Sequence, residues 1–223
     1  MKKLLFALLL LVAQNGLAQN YYSVVNKFNA ATQLNSDPTK PEDGTFQWNW
    51  LSTYGVGIQC QKDIFKNTVA RYGVSYIKKG FRDMWQYGAI GTDVVESNTL
   101  KNEFEYISFD VLLKRYLSKL RLLRPYICVG IRTDYLFKTK LQSLSTTQSL
   151  FEPFKSYNNF NKISGGWLLG IGAEINKLLF IELEVNKDLT KTINNERLIA
   201  KNVICSLNLG ININELIRPK EGI

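Results

Sequence analysis

Residues 165–189 read GGWLLGIGAEINKLLFIELEVNKDL. Taken in twos, Trp167, Leu169, Ile171, Ala173 and Ile175 fall on one parity. Gly166, Gly170, Gly172, Glu174 and Asn176 fall on the other, with Leu168 the exception. After a tight turn the pattern resumes, and Leu179, Ile181, Leu183, Val185 and Leu189 oppose Glu182, Glu184, Asn186 and Asp188. Successive side chains of a strand point to opposite faces. The stretch therefore reads as a hairpin with one apolar face and one charged, glycine-rich face. A helix would mix the glutamates with their apolar neighbours. The hairpin alone leaves open which of its faces meets water.

Working outward, the same alternation recurs. Residues 46–61 set Trp48, Trp50, Tyr54, Val56, Ile58 and Cys60 against Asn49, Thr53, Gly55, Gly57, Gln59 and Gln61. Residues 68–82 set Ala70, Tyr72, Val74 and Tyr76 against Arg71, Gly73, Ser75 and Lys79, with a parity change near Ile77–Phe81 that suggests a bulge. Residues 102–117, 124–138 and 201–214 alternate in the same way, and 20–33 do so less clearly, because Asn26 interrupts the apolar parity of Tyr22, Val24 and Phe28. With the two strands of the hairpin this predicts eight strands. The connections at 34–45, 83–101, 139–164 and 190–200 are long, and those at 62–67, 118–123 and 176–178 are short. Long loops at one end and tight turns at the other is the plan of an outer-membrane barrel.

Composition narrows the classes. Hydrophobic residues make up 45% of the 223-residue chain and charged residues 21%, which suits neither a disordered chain nor a helical membrane protein. Residues 1–18 read as a secretory signal, with Lys2 and Lys3 ahead of the apolar run Leu4–Ala13 and small residues at Gly16 and Ala18. Its removal takes the net charge from +9 to +7 (9 − 2). A chain that leaves the cytoplasm makes nucleic acid an improbable partner, so the basic balance points to anionic lipid headgroups. Cys60, Cys128 and Cys205 sit far apart inside strand-like runs, a pattern of neither a disulfide framework nor a metal site.

Three features place the apolar parity outwards. It is nearly free of charge through the middle of strands two to eight. Trp48, Trp50, Phe81, Tyr135, Phe137 and Trp167 lie near strand ends that face the long loops, where a membrane interface favours aromatic rings. The polar parity carries Arg71, Lys79, Asp110, Lys114, Arg132, Asp134, Glu174, Glu182 and Glu184 among many glycines, as a crowded, ion-paired interior requires. The fold expected is all-β, an eight-stranded antiparallel up-and-down transmembrane β-barrel over residues 19–214, with 215–223 a short periplasmic tail. A soluble periplasmic lipid-binding barrel is the reading if the apolar parity points inwards.

The segments RYGVSYIKKG (71–80), FEYISFDVLLKRYL (104–117), RPYICVGIRTDYL (124–136) and GWLLGIGAEIN (166–176) together resemble the porin family of Bacteroidetes-type bacteria. This is the outer membrane protein beta-barrel domain, similar in architecture to OmpX and the OmpA barrel. The resemblance spans roughly residues 20–214. The first strand lacks the family's glycine-rich repeat, and the chain ends NELIRPKEGI rather than on an aromatic residue. The resemblance implies a location in the cell outer membrane and passage through periplasmic chaperones and the barrel-assembly machinery. Similar barrels also serve a Por-type secretion system, which makes an accessory role in secretion or envelope assembly the second reading.

The chain contains no histidine, which removes Ser–His nucleophilic catalysis and imidazole metal ligands. Glu182 and Glu184 share a face and form a conceivable carboxylate dyad, but structural ion pairing explains them better. No enzyme, cofactor or metal is expected. The expected protein is a monomer with a structural or adhesive role carried by its long loops, chiefly 139–164. Its partners would be outer-membrane lipid and lipopolysaccharide. Lys78, Lys79, Arg82, Lys101, Lys138, Lys140, Lys155, Lys162, Lys191 and Arg197 near those loops are the candidates for lipopolysaccharide phosphates.

Overall fold

In the computed structural model, residues 20–36, 50–88, 95–118, 122–143, 160–192 and 199–214 are described. The expected signal segment, the tail 215–223 and Trp48 lie outside them. Eight strands run β1 Asn20–Ser36, β2 Leu51–Phe65, β3 Thr68–Gly88, β4 Val95–Tyr116, β5 Leu123–Ser143, β6 Ile163–Ile175, β7 Leu179–Asp188 and β8 Ile199–Asn212. Each pairs antiparallel with the next, and β1 pairs with β8 to close the barrel.

The register fixes the shape. From Ala30 on β1 the partners run Cys205, Val185, Leu169, Val129, Leu113, Ala70 and Lys62, and return to Asn20 on β1. One circuit thus slips ten residues (30 − 20). Eight strands with that stagger tilt by about 40° to the barrel axis and enclose only room for side chains.

The faces sort by parity. Along β4, Phe109, Val111 and Leu113 are exposed while Ser108, Asp110, Leu112 and Lys114 are buried. Along β7, Ile181, Leu183 and Val185 are exposed while Glu182, Glu184, Asn186 and Asp188 are buried. The apolar parity is outside and the charged parity inside, so the inward apolar face that a soluble lipid carrier requires is not there. On β4 the outward charges are Lys101, Glu103 and Glu105 above the apolar run and Arg115 below it. Ten residues of tilted strand separate Glu105 from Arg115 (115 − 105). At about 3.4 Å per residue that is an apolar band of about 25 Å, the height of a transmembrane barrel's lipid-facing belt.

The tight turns follow from local chemistry. Asn176 and Lys177 both have positive φ (52° and 59°), and Leu178 N–H donates to Ile175 C=O at 3.1 Å, which makes the two-residue turn that matches strand twist. Asn67 (φ 68°) serves the β2–β3 turn.

Three expectations need correction. β3 keeps unbroken register with β4 from Thr68↔Arg115 to Gly88↔Val95, so no bulge lies at Ile77–Phe81. Ile77 and Phe81 keep the inward parity of Arg71 and Lys79. The register shifts fall instead at Asp63/Phe65 and, between β4 and β5, at Glu105/Tyr106. The span 83–101 is mostly strand, because the β3–β4 hairpin continues past the membrane belt. Phe81 is not on the outer face: it is 9% exposed, its ring lies 6.1 Å from that of Phe104, and it belongs to an inward cluster with Ala31, Ile77, Tyr106, Leu136 and Ile204. This cluster closes the loop-side end of the lumen, with Phe160 against it.

Candidate functional site in the barrel lumen

The inward side chains form three layers. Nearest the long connections, Arg132 donates from Nε to Asp134 Oδ2 at 2.9 Å and from Nη2 to Asp188 Oδ1 at 2.8 Å. Lys79 Nζ lies 2.5 Å from Asp134 Oδ2 and 3.4 Å from Asp188 Oδ1. Asn202 adds a donor to Asp188 Oδ2 at 2.8 Å.

In the middle layer Arg71 grips Glu182 with both terminal nitrogens, at 2.6 and 3.0 Å. Its Nη2 is also 3.6 Å from Glu184 Oε2, and Lys27 Nζ lies 3.7 Å from Glu184 Oε1. Asn208 donates to Glu182 at 3.1 Å and to Glu184 at 3.3 Å, and Asn186 to Glu184 at 2.6 Å.

In the layer nearest the tight turns Lys114 pairs with Glu174, and Tyr116 Oη donates to the same carboxylate at 2.5 Å. Lys114 Nζ also sits 3.8 Å from the Tyr126 ring centroid. Arg124, partly exposed at the rim, stacks 4.0 Å over Tyr116 and reaches Glu174 at 3.6 Å.

Eight of the nine charged residues expected in the lumen enter these ion pairs. Asp110 does not: it faces inwards at 2% exposure, yet it makes no ion pair among the described residues, and its Oδ1 has no hydrogen-bond partner. Its carboxylate lies over Gly73, where an added Cβ would come within 2.4 Å of Oδ1. Three charged members of the network were not foreseen: Asp188, Lys27 and, at the rim, Arg124. Asp188 shares the parity of Glu182 and Glu184, which was the available signal. Lys27 sits opposite Phe28 in parity, but Asn26 on the outward face blurred the phase of β1.

A charge taken from water is expensive unless it is paired and hydrogen-bonded. Each charge in the layers has an ion-pair partner, though Arg71 Nε and Asp134 Oδ1 are left without a hydrogen bond among the described residues, and the layers also set the register. A slip of one residue on any strand would turn its lumen charges into lipid and its apolar row inwards. Close approach of inward rings to glycine completes the filling. The Phe180 ring lies where a Cβ on Gly210 would be, at 2.1 Å, and the Tyr126 ring covers Gly172 at 2.6 Å.

Glu182 and Glu184 are both bound by Arg71 and Asn208, the contacts of a structural ion pair. No group of three or more Cys, Asp or Glu side chains able to hold a metal occurs among the described residues. Of the expected interface aromatics, Trp50, Tyr135 and Phe137 are exposed on the outside, and Trp167 is partly exposed.

Solved structures with similar chains include the Ail attachment invasion locus protein of Yersinia pestis, at 12% identity and TM-score 0.42, over 87% of this chain and 97% of that one. OprG of Pseudomonas aeruginosa is similar at 13% identity and TM-score 0.42, over 87% and 96%. The outer membrane enzyme PagL is similar at 10% identity and TM-score 0.39, over 83% and 98%. No curated protein sequence matches. The family model for the outer membrane protein beta-barrel domain matches residues 16–194. The chain belongs to the outer membrane protein beta-barrel domain family, and it is an outer-membrane protein.

Proposed function

We propose that this barrel is a non-enzymatic scaffold that holds its long connections at the cell surface for a structural or adhesive role. The supporting observation is the lumen. Three layers of paired charge and an apolar cap fill it, which suits a rigid support better than a conduit. The absence of histidine weighs in the same direction. Ser36, Gly88, Val95, Ser143 and Ile199 all end their strands on the side opposite the tight turns, so the connecting sequences start from one rim.

The test is whole-cell adherence of a strain in which 144–159 is replaced by a short glycine–serine linker. The variant should still migrate anomalously on unboiled gels, as a folded barrel does, while adherence falls. Unchanged adherence, or discrete conductance steps from the purified barrel in a planar bilayer, would overturn the reading.

A further inference from the structure

The upper edge of the lipid-facing belt is not uniform. Between β3 and β5 one row of the register runs Lys78↔Glu105↔Lys138, with all three on the outward face. One step higher Glu103 pairs with Lys140 across the strands, and Lys101 Nζ lies 2.6 Å from Glu103 Oε1. Lys140 Nζ is 3.9 Å from Glu105 Oε1. Four lysines against two glutamates leave a charge of +2 (4 − 2) on this sector. Lys138 is exposed and makes no ion pair among the described residues.

Directly below, three rings form a row. Tyr54 and Tyr76 have centroids 6.3 Å apart, and Tyr76 and Phe137 6.0 Å. Lys78 Nζ stands 4.7 Å over the Tyr54 centroid. The register shift at Glu105/Tyr106 gives β5 its extra residue here, which brings Phe137 and Lys138 side by side on the outer wall. Of the other basic residues proposed from sequence, Lys162 and Lys191 are exposed beside the ends of β6 and β7, with Lys162 C=O accepting from Leu136 N–H at 2.7 Å. Lys79 is inside the lumen, and the side chains of Arg82, Lys155 and Arg197 are outside the described ones.

We infer that this sector is a binding site for the phosphate of an outer-leaflet glycolipid. The phosphate would be held by Lys138 and by Lys78 reaching from its seat over Tyr54, above Glu105, whose charge Lys140 offsets, with an acyl chain lying down the Tyr76–Phe137 row. The height is that of headgroups, because Glu105 marks the top of the apolar band. The charge matches a phosphate monoester, which carries close to two negative charges near neutral pH, better than the single charge of a phosphodiester headgroup. Lys78 and Lys138 are two strand spacings apart, about 10 Å between backbones. Two flexible four-carbon stems can close that span around one phosphate. The inference rests on the reading of lipopolysaccharide as a partner and assigns it to one face of the barrel.

The test uses the whole barrel folded in phosphatidylcholine vesicles, with melting followed by loss of the heat-shifted gel band. A ligand that binds only the folded state raises the melting temperature. Added lipid A bearing phosphate monoesters should raise it by several degrees. Lipid A stripped of phosphate, or phosphatidylglycerol at equal charge, should not. In K78Q/K138Q, and in the milder K138Q alone, the melting temperature in plain phosphatidylcholine should stay close to that of the parent while the lipid A rise shrinks or disappears. An undiminished rise in both variants, or an equal rise with phosphate-free lipid A or with phosphatidylglycerol, would overturn the site. Adherence in these variants should remain intact, which separates this site from the loop-borne role.

Discussion

Arg71 on β3 and Glu182 on β7 meet across the full width of the barrel, with two hydrogen bonds of 2.6 and 3.0 Å between strands four apart in the closed sheet. Both side chains are at most 1% exposed. Removing one partner strands the other as an unpaired buried charge, at about 3–5 kcal/mol. R71M should therefore cost that much in urea unfolding from lipid vesicles, and R71M/E182L should recover a good part of it. A double variant no better than R71M would show that the pair itself, and not the stranded charge, dominates.

Asp110 gives the opposite expectation. It is buried without an ion pair and with Oδ1 unpartnered among the described residues, so losing its charge gives up only the longer-range attraction of Arg71 and relieves a desolvation cost. D110N should leave stability unchanged or raise it by about 1 kcal/mol, whereas D134N, which abandons Lys79 and Arg132, should lower it by about 3 kcal/mol. Equal losses in the same unfolding assay would show that Asp110 is held by groups as strong as those around Asp134.

The outward face of β4 fixes the depth scale. V111R places a cation near the middle of the belt and should cost about 2–4 kcal/mol, while L117R, beyond Arg115 at the tight-turn end, should cost about 0–1 kcal/mol. Folding yields and unfolding free energies in thin and normal bilayers read this directly. A thin bilayer should narrow the difference between the two variants.

Glycine is required where a ring takes its place. A Cβ on Gly210 would lie 2.1 Å from the Phe180 ring, whereas one on Gly165 would meet nothing nearer than 3.8 Å. G210V should destabilise by about 1–3 kcal/mol and G165A by little. G210V/F180A should regain part of the loss, as judged by the melting of the heat-shifted band.

The hairpin 165–189 was legible because both of its faces are under constraint, lipid on one side and a packed lumen on the other. From Leu169 to Ile175 and from Leu179 to Val185 the period of two reports the face of each residue except Phe180, an apolar ring that fills the lumen against Gly210. Legibility fades where one constraint lifts. Above the belt β3 and β4 run on through 83–88 and 95–101 with no lipid to keep their outward positions apolar, so the span read as loop. Ile77 and Phe81 looked like a slip of parity because the lumen is polar for most of its length. Nothing local says that its last turn is capped by apolar side chains. Asn26 hid Lys27 in the same way, by placing an amide on the outward face of β1. The individual ion pairs depend on which strands face each other across the barrel, and hence on the stagger of ten residues, a property of the closed sheet and not of any one strand.

The placement of the two parities is tested most directly by a fluorophore carried on single cysteines along β4, from residue 107 to 114, in a background free of Cys60, Cys128 and Cys205 and folded into vesicles containing brominated lipid. Quenching should alternate with a period of two, strong at 107, 109, 111 and 113 and weak at 108, 110, 112 and 114. An inverted phase, or quenching without alternation, would contradict a barrel whose apolar face meets lipid and whose charges are paired within.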